Sequence, residues 1–297
     1  MNARAWVLFL AVSVLWGMPY LLIKVAVEDL SPAVIVFART ALGAAILLPF
    51  AWRAGALRGL LARRRDLLVL ALTSVAVPFM LITVGEQWVS SSLTAILIAV
   101  EPMAIGLLAI RIDPSERVGG SRMIGLAVGA AGVVALLGLD IGGGLALLGA
   151  GMILAATGCY AYASMQVGLR FSDVRPVGLA AATLSISTVL LAGPAAASAP
   201  ASLPAAGTLG VLALLGAACT ALAFVLFFAL VREVGAGRAS VITYAAPGVA
   251  VVLGVTLLDE RLGAWVLAGL ALIAVGSWLA TRGPRARRPE AEGLAPS

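Results

Sequence analysis

Glu101 is the one carboxylate that lies deep inside an apolar run of this 297-residue chain. An ionisable side chain at that depth costs several kcal/mol, about 2.5–3.5 on insertion scales for residues such as Asp or Arg, so it is a functional candidate by default. Three uses are open to it: binding a substrate ammonium group, taking a coupling proton, or forming a structural ion pair with Arg39. Arg39 is itself a buried charge, roughly 10 Å below one end of its own run at a helical rise. Ser13, Trp16, Tyr20 and Lys24 are spaced three and four apart and form one polar and aromatic stripe on a helix. Thr157, Tyr160 and Ser164 carry the same stripe 144 residues later. Hydroxyls kept in both copies favour a shared central cavity over a lipid-facing stripe. Against this, Trp and Tyr at helical spacing also suit a packed core, and Lys24 suits an interface to which its head snorkels.

Within the first stripe, Trp16-Gly17-Met18-Pro19-Tyr20 sets a Gly and a Pro mid-run, where Pro removes a backbone hydrogen bond and clashes with the previous turn. Such breaks border polar cavities or kink packed helices. Pro102 and Pro247 each lie about ten residues into later runs, near mid-depth in a bilayer at about 1.5 Å per residue, and are matching hinge candidates with Gly17 and Pro19. Ser240, Thr243, Tyr244 and Pro247 share one helical face, as do Ser91, Thr94, Ile98 and Glu101. No HExxH, paired membrane aspartates or GxSxG motif is present, which leaves an intramembrane enzyme without a catalytic set. Histidine is absent, removing the commonest zinc ligand and the usual near-neutral proton relay, so no metal or other cofactor is expected. Cys159 and Cys219 stand alone in apolar runs and read as small buried side chains.

The elements that must position these groups follow from composition. Apolar residues are 62 % and charged residues 11 %, against roughly 45–50 % and about 25 % in a soluble domain. A spanning helix takes about 20 apolar residues. Charged and Gly/Pro/Ser-rich breaks divide the chain into spans 5–27, 32–52, 67–88, 91–110, 123–139, 144–167, 176–196, 207–231, 239–257 and 264–281. The first apolar run is too long for a cleaved signal peptide and reads as an uncleaved helix. With the N-terminus inside, 17 of the 20 Lys and Arg residues fall in inside segments and only Arg261 in an outside loop. The expected fold is therefore all-α: a polytopic membrane protein of ten transmembrane helices with both termini cytoplasmic.

Residues 116–132 and 260–276 share a pattern beginning Glu-Arg-aliphatic-Gly, with eight of seventeen positions identical. Pro32 aligns with Pro176, Trp16 with Tyr160 and Pro102 with Pro247. The repeat thus covers all ten spans, five per unit, and an odd number forces the second unit to start from the opposite side. This is the inverted-topology arrangement in which two halves exchange roles around a central site. The expected units are residues 1–140 and 141–282, followed by a disordered cytoplasmic tail over 283–297. Gly125, Gly129, Gly132, Gly269 and Gly276 read as helix-packing residues.

With these motifs in order and duplicated, the chain resembles the drug/metabolite transporter superfamily, in its ten-helix branch built from two EamA domains. The resemblance covers about residues 5–281 and rests on the break at 16–20, the Pro32 to Arg39 start of the second span, Pro102 and Pro247, and the two Glu-Arg motifs. It implies a central substrate cavity and similarity to bacterial exporters of aromatic and other neutral amino acids. The second copy departs in having Tyr160 for Trp16 and uncharged Thr183 where Arg39 aligns. The reading is an inner-membrane, multi-pass bacterial exporter of small neutral metabolites, amino acids including aromatic ones, working by alternating access. Ser13, Trp16, Tyr20, Phe79, Glu101, Tyr160, Ser164 and Tyr244 are its expected substrate-binding residues. Its expected partners are that substrate and the lipid bilayer, with no nucleic acid, and it acts as a monomer or weak homodimer. Drug or nucleotide-sugar transport and a non-transporting scaffold or receptor are the alternatives. The absence of a dense basic lining argues against large phosphorylated substrates.

Overall fold

The computed structural model describes residues 2–112, 120–139, 144–234, 239 and 242–281. Helices start where the sequence supplies an acceptor for free N–H groups. The Asn2 side chain accepts from Ala5 N at 2.8 Å and begins α1 (Ala3–Ala26). Ser31 caps α2 (Pro32–Arg53), with Pro32 at the first turn where no donor is needed. Helix α3 (Leu60–Gly85) opens with a 3₁₀ turn after Gly59, whose φ of 78° suits only glycine, and carries a π turn at Leu72–Ala76. The fourth run is split into α4 (Ser91–Ile98), capped by Ser90, and α5 (Glu101–Ile112). There follow α6 (Gly120–Leu139), α7 (Leu145–Arg170), α8 (Pro176–Ala197), α9 (Ala206–Val234), α10 (Ile242–Leu257) and α11 (Ala264–Thr281). A second π turn, Leu214–Leu222, lies in α9.

No strand occurs among the described residues. Seven helical runs are long and apolar enough to cross a bilayer, and three shorter apolar stretches lie in α6, α10 and α11. Helix α3 begins earlier than the break at Arg63–Arg65 suggests. Those arginines form its first turn because Arg63 is held there by the loop after α7. The Glu116-Arg117 motif, Arg238, Ser240, the boundary at 140/141, the terminal arginines and the 283–297 segment lie outside the described residues.

Helix α1 packs against α9 and α10, and α7 packs against α3, α4 and α5, while α2 pairs with α8 and α6 with α11. Close approaches are made by glycines. A Cβ on Gly17 would meet Val249 Cβ at 2.7 Å and Ala246 O at 2.8 Å, so α1 and α10 touch nearly backbone to backbone. One end of the bundle is basic. There Arg63 grips Asp173 with two parallel hydrogen bonds of 2.8 Å and also donates to Arg170 O at 2.8 Å. Arg170 in turn pairs with Asp66, and Arg175 donates to Ala54 O at 2.6 Å. At the opposite end, α4 is held by Glu260 from the turn after α10. Its carboxylate accepts from Ser91 N and Oγ at 2.8 and 2.9 Å and from Ser92 N and Oγ at 3.1 and 2.5 Å.

Candidate functional site

The break between α4 and α5 follows from proline chemistry. Pro102 has no N–H to give and is tolerated in the first turn of a helix, where that N–H would have no intrahelical acceptor. The chain therefore tightens at Ala99–Val100, with Val100 N donating to Leu97 O at 3.3 Å, and restarts at Glu101. Glu101 opens α5 at the positive end of its dipole, a favourable position for a carboxylate. Its Oε1 accepts from Ser164 Oγ of α7 at 3.0 Å.

Glu101 lines a cavity of about 360 Å³ bounded by α1, α2, α3, α4, α5, α7, α9 and α10. Trp16, Pro19 and Tyr20 enter from α1, Arg39 from α2, Phe79 from α3, Tyr160 and Ser164 from α7, and Pro247 from α10. With Glu101 these are nine of the thirteen residues expected from the sequence to bind substrate, act as hinges or carry a buried charge. Ser13, Gly17, Pro102 and Tyr244 are not in the lining. The Ser13 hydroxyl turns back on its own helix to Phe9 O at 2.7 Å, and Gly17 serves the α1–α10 contact.

Among the described residues Arg39 is the lone cation of the lining. Its guanidinium carbon stands 4.0 Å over the Phe79 ring, and its Nε donates to Thr220 Oγ1 at 2.9 Å. Among the described residues it forms no ion pair, so Glu101 is not its partner here. Thr220 can receive Arg39 because its own proton goes to Leu215 O at 2.8 Å, five residues back across the π turn of α9. One turn further along α9, the Trp16 ring meets Phe224 edge-on at 6.1 Å and lies 4.7 Å from the ring of Phe227.

The lining residues Tyr160, Ala163, Ser164 and Val167 share one face of α7, and those of α10 lie between Ile242 and Pro247. Both sets sit in the halves of these helices nearer the basic end. Ser164 and Val167 are exposed through that face, so the cavity opens toward the basic end. Toward the opposite end lie Leu22, Ile23, Ile35, Leu93, Ile153 and Leu215, buried members of one apolar cluster.

Sequence reasoning missed several contributors. Ser74 and Val75 of the first π turn and Phe224 of α9 line the cavity, and Glu86, just past α3, is fully buried near its closed end. Lys24 does not snorkel. Its ammonium donates to Glu86 O at 2.6 Å and Val89 O at 3.1 Å.

Comparison with known proteins finds the sequence model of the EamA-like transporter family matching twice, over residues 4–138 and 147–282. The uncharacterized transporter YvbV of Bacillus subtilis (strain 168) is 26 % identical over 296 residues, covering 99 % of this chain and 96 % of that protein. The uncharacterized inner membrane transporter YedA of Escherichia coli (strain K12) is 29 % identical over 281 residues, 89 % of this chain and 87 % of that one. A solved crystal structure shares the fold, with a TM-score of 0.66 at 20 % identity over 95 % of this chain and 97 % of the other.

Proposed function

The chain belongs to the EamA-like transporter family, a family of membrane transporters and not of enzymes, and from that premise we propose that it exports small neutral metabolites, amino acids including aromatic ones, by alternating access. The observation that carries the substrate class is the lining of the cavity. One wall offers an anion, Glu101, and another a cation, Arg39, with Trp16, Tyr20, Phe79 and Tyr160 among them. A zwitterion needs an acceptor for its ammonium and a donor for its carboxylate, and an aromatic or long apolar side chain needs ring faces to pack on. The net charge of such a ligand matches that of the two side chains that would receive it.

Alternating access draws support from the arrangement of the two matched segments. In the proposed architecture each is a five-helix half and the second is threaded in the opposite sense. The partners then exchange: α1 meets α9 and α10 of the other half as α7 meets α3, α4 and α5. The π turns at Leu72–Ala76 and Leu214–Leu222 fall at corresponding places in the two halves. A cavity open at one end and closed at the other is one state of such a cycle. Assigning the basic end to the cytoplasm follows the positive-inside rule and makes this the inward-open state of a bacterial inner-membrane protein.

Counterflow in proteoliposomes with labelled phenylalanine, threonine and methionine tests the substrate class. Uptake above that of empty liposomes is expected for at least the aromatic substrate. Flux equal to empty liposomes for all three removes the amino-acid assignment.

A further inference from the structure

Beyond the cavity, the closed end holds a carboxyl group without a use. Glu86 is 0 % exposed, and among the described residues neither of its side-chain oxygens has a hydrogen-bond partner. None of the described groups around it donates a hydrogen bond to its carboxyl. From α1, Lys24 spends its ammonium on the Glu86 and Val89 carbonyls, and Tyr20 points into the cavity. From α2, Arg39 is engaged with Thr220 and Phe79. From α4, the Thr94 hydroxyl approaches the carboxyl but spends its proton on Ser90 O at 3.0 Å. From the turn after α10, Glu260 is a second carboxylate, already saturated by Ser91 and Ser92. From α7, Gly149 and Ile153 pack against the neighbouring Gly85, and neither titrates.

A carboxylate buried without a donor is far costlier than the neutral acid, and a group so placed takes up a proton rather than remain charged. We propose that Glu86 is a proton-binding site whose occupancy closes the cavity at the end opposite the basic face. In the closed state the carboxyl is neutral, and Lys24 is free to clamp the 86–89 turn through its two carbonyls. When the proton passes to water on that side, the carboxylate that remains needs hydration that the dry, packed 86–89 turn does not supply. Water entering to solvate it also competes for the Glu86 and Val89 carbonyls held by Lys24, and the turn separates from α1. Reclosing takes one proton back from the same side.

A solvated Glu ionises near pH ~4.3, so the closed form binds the extra proton above that value, and the open-to-closed ratio rises up to about tenfold per pH unit until the closed form also ionises. Alkaline pH therefore opens this end and acid pH shuts it.

This proposal rests on the alternating-access reading, but its test needs no substrate. A Val89→Cys reporter is made in the full chain with Cys159→Ala and Cys219→Ala, in nanodiscs, and its reaction with a methanethiosulfonate reagent is normalised to a Gln87→Cys reporter at the exposed neighbouring position. The normalised rate is expected to rise at least about tenfold between about pH 5.5 and about pH 8.5. Glu86→Gln, with Glu86→Met as a second neutral form, is expected to hold the slow rate at both pH values, while Glu86→Asp keeps the pH response. A neutral variant with the parent's pH profile overturns the proton site while leaving alternating access standing. A reporter that stays unreactive at every pH, in a chain that also gives no counterflow, overturns both.

Discussion

The guanidinium of Arg39 rests on the ring of Phe79, 4.0 Å from carbon to centroid, at the wall of a cavity that also contains Glu101. An arginine held by a ring face and a single hydroxyl keeps its remaining N–H donors for a ligand. Hydrogen bonds to charged groups contribute about 1.5–3 kcal/mol, so Arg39→Lys, which loses the planar fork and the Nε contact to Thr220, should raise KM for a carboxylate-bearing substrate by about tenfold or more. Counterflow rates against substrate concentration measure this. An unchanged KM would exclude Arg39 from substrate binding.

Glu101→Gln separates charge from hydrogen bonding at the other pole. The amide oxygen can still accept from Ser164, now 3.0 Å from Glu101 Oε1, so the thermal midpoint should stay close to wild type. Transport of an ammonium-bearing substrate should fall by about tenfold or more, since the charge-assisted partner is gone. Full transport by Glu101→Gln reduces Glu101 to a structural tie between α5 and α7.

How far the sequence reached into this site depends on what helical period can encode. Spacing of three and four identifies a face, and so Trp16, Tyr20, Tyr160 and Ser164 were legible, as was Glu101 from its depth. Period says nothing about which distant helix a face meets, and the partner of Arg39 proved to be Thr220 of α9 rather than Glu101. Ser74 and Cys219 turn into the cavity through π turns, which shift the helical register without any marker residue. Glu86 was hidden by its position next to a polar turn, where a carboxyl normally meets water. The all-helical, highly apolar fold was open to composition alone because no soluble core accounts for so few charges.

Glycine positions give a stability test with an internal control. Gly17 faces Val249 Cβ and Ala246 O across the α1–α10 contact, whereas a Cβ on Gly158 of α7 meets nothing within 4 Å. Gly17→Ala should destabilise by about 1–3 kcal/mol through overpacking. Gly158→Ala should be neutral or stabilising by up to about 1 kcal/mol, because alanine is the better helix former. Thermal unfolding in one detergent, read by loss of the monodisperse peak, compares them directly. Equal midpoints for the two variants would contradict the close approach of α1 and α10.

Glu260 provides the last test, since its role is set by a turn rather than by the helices on either side. Both Leu258 N and Glu260 N donate to Gly254 O at 3.1 Å, and Asp259 adopts a φ of 52°, a left-handed conformation common just past a helix end. This turn throws the Glu260 carboxylate back onto the first N–H groups of α4, where a negative charge also suits the helix dipole. Ser91 and Ser92 are buried, so Glu260→Ala leaves their N–H groups without an acceptor, and each such loss costs about 1–3 kcal/mol. Glu260→Gln keeps one acceptor oxygen and should fall between Ala and wild type. Hydrogen exchange at Ser91 and Ser92 is the decisive readout, because a general loss of stability would speed exchange along all of α4. Selective acceleration at these two amides is expected in Glu260→Ala, and uniform acceleration would mean that Glu260 supports the bundle without capping α4.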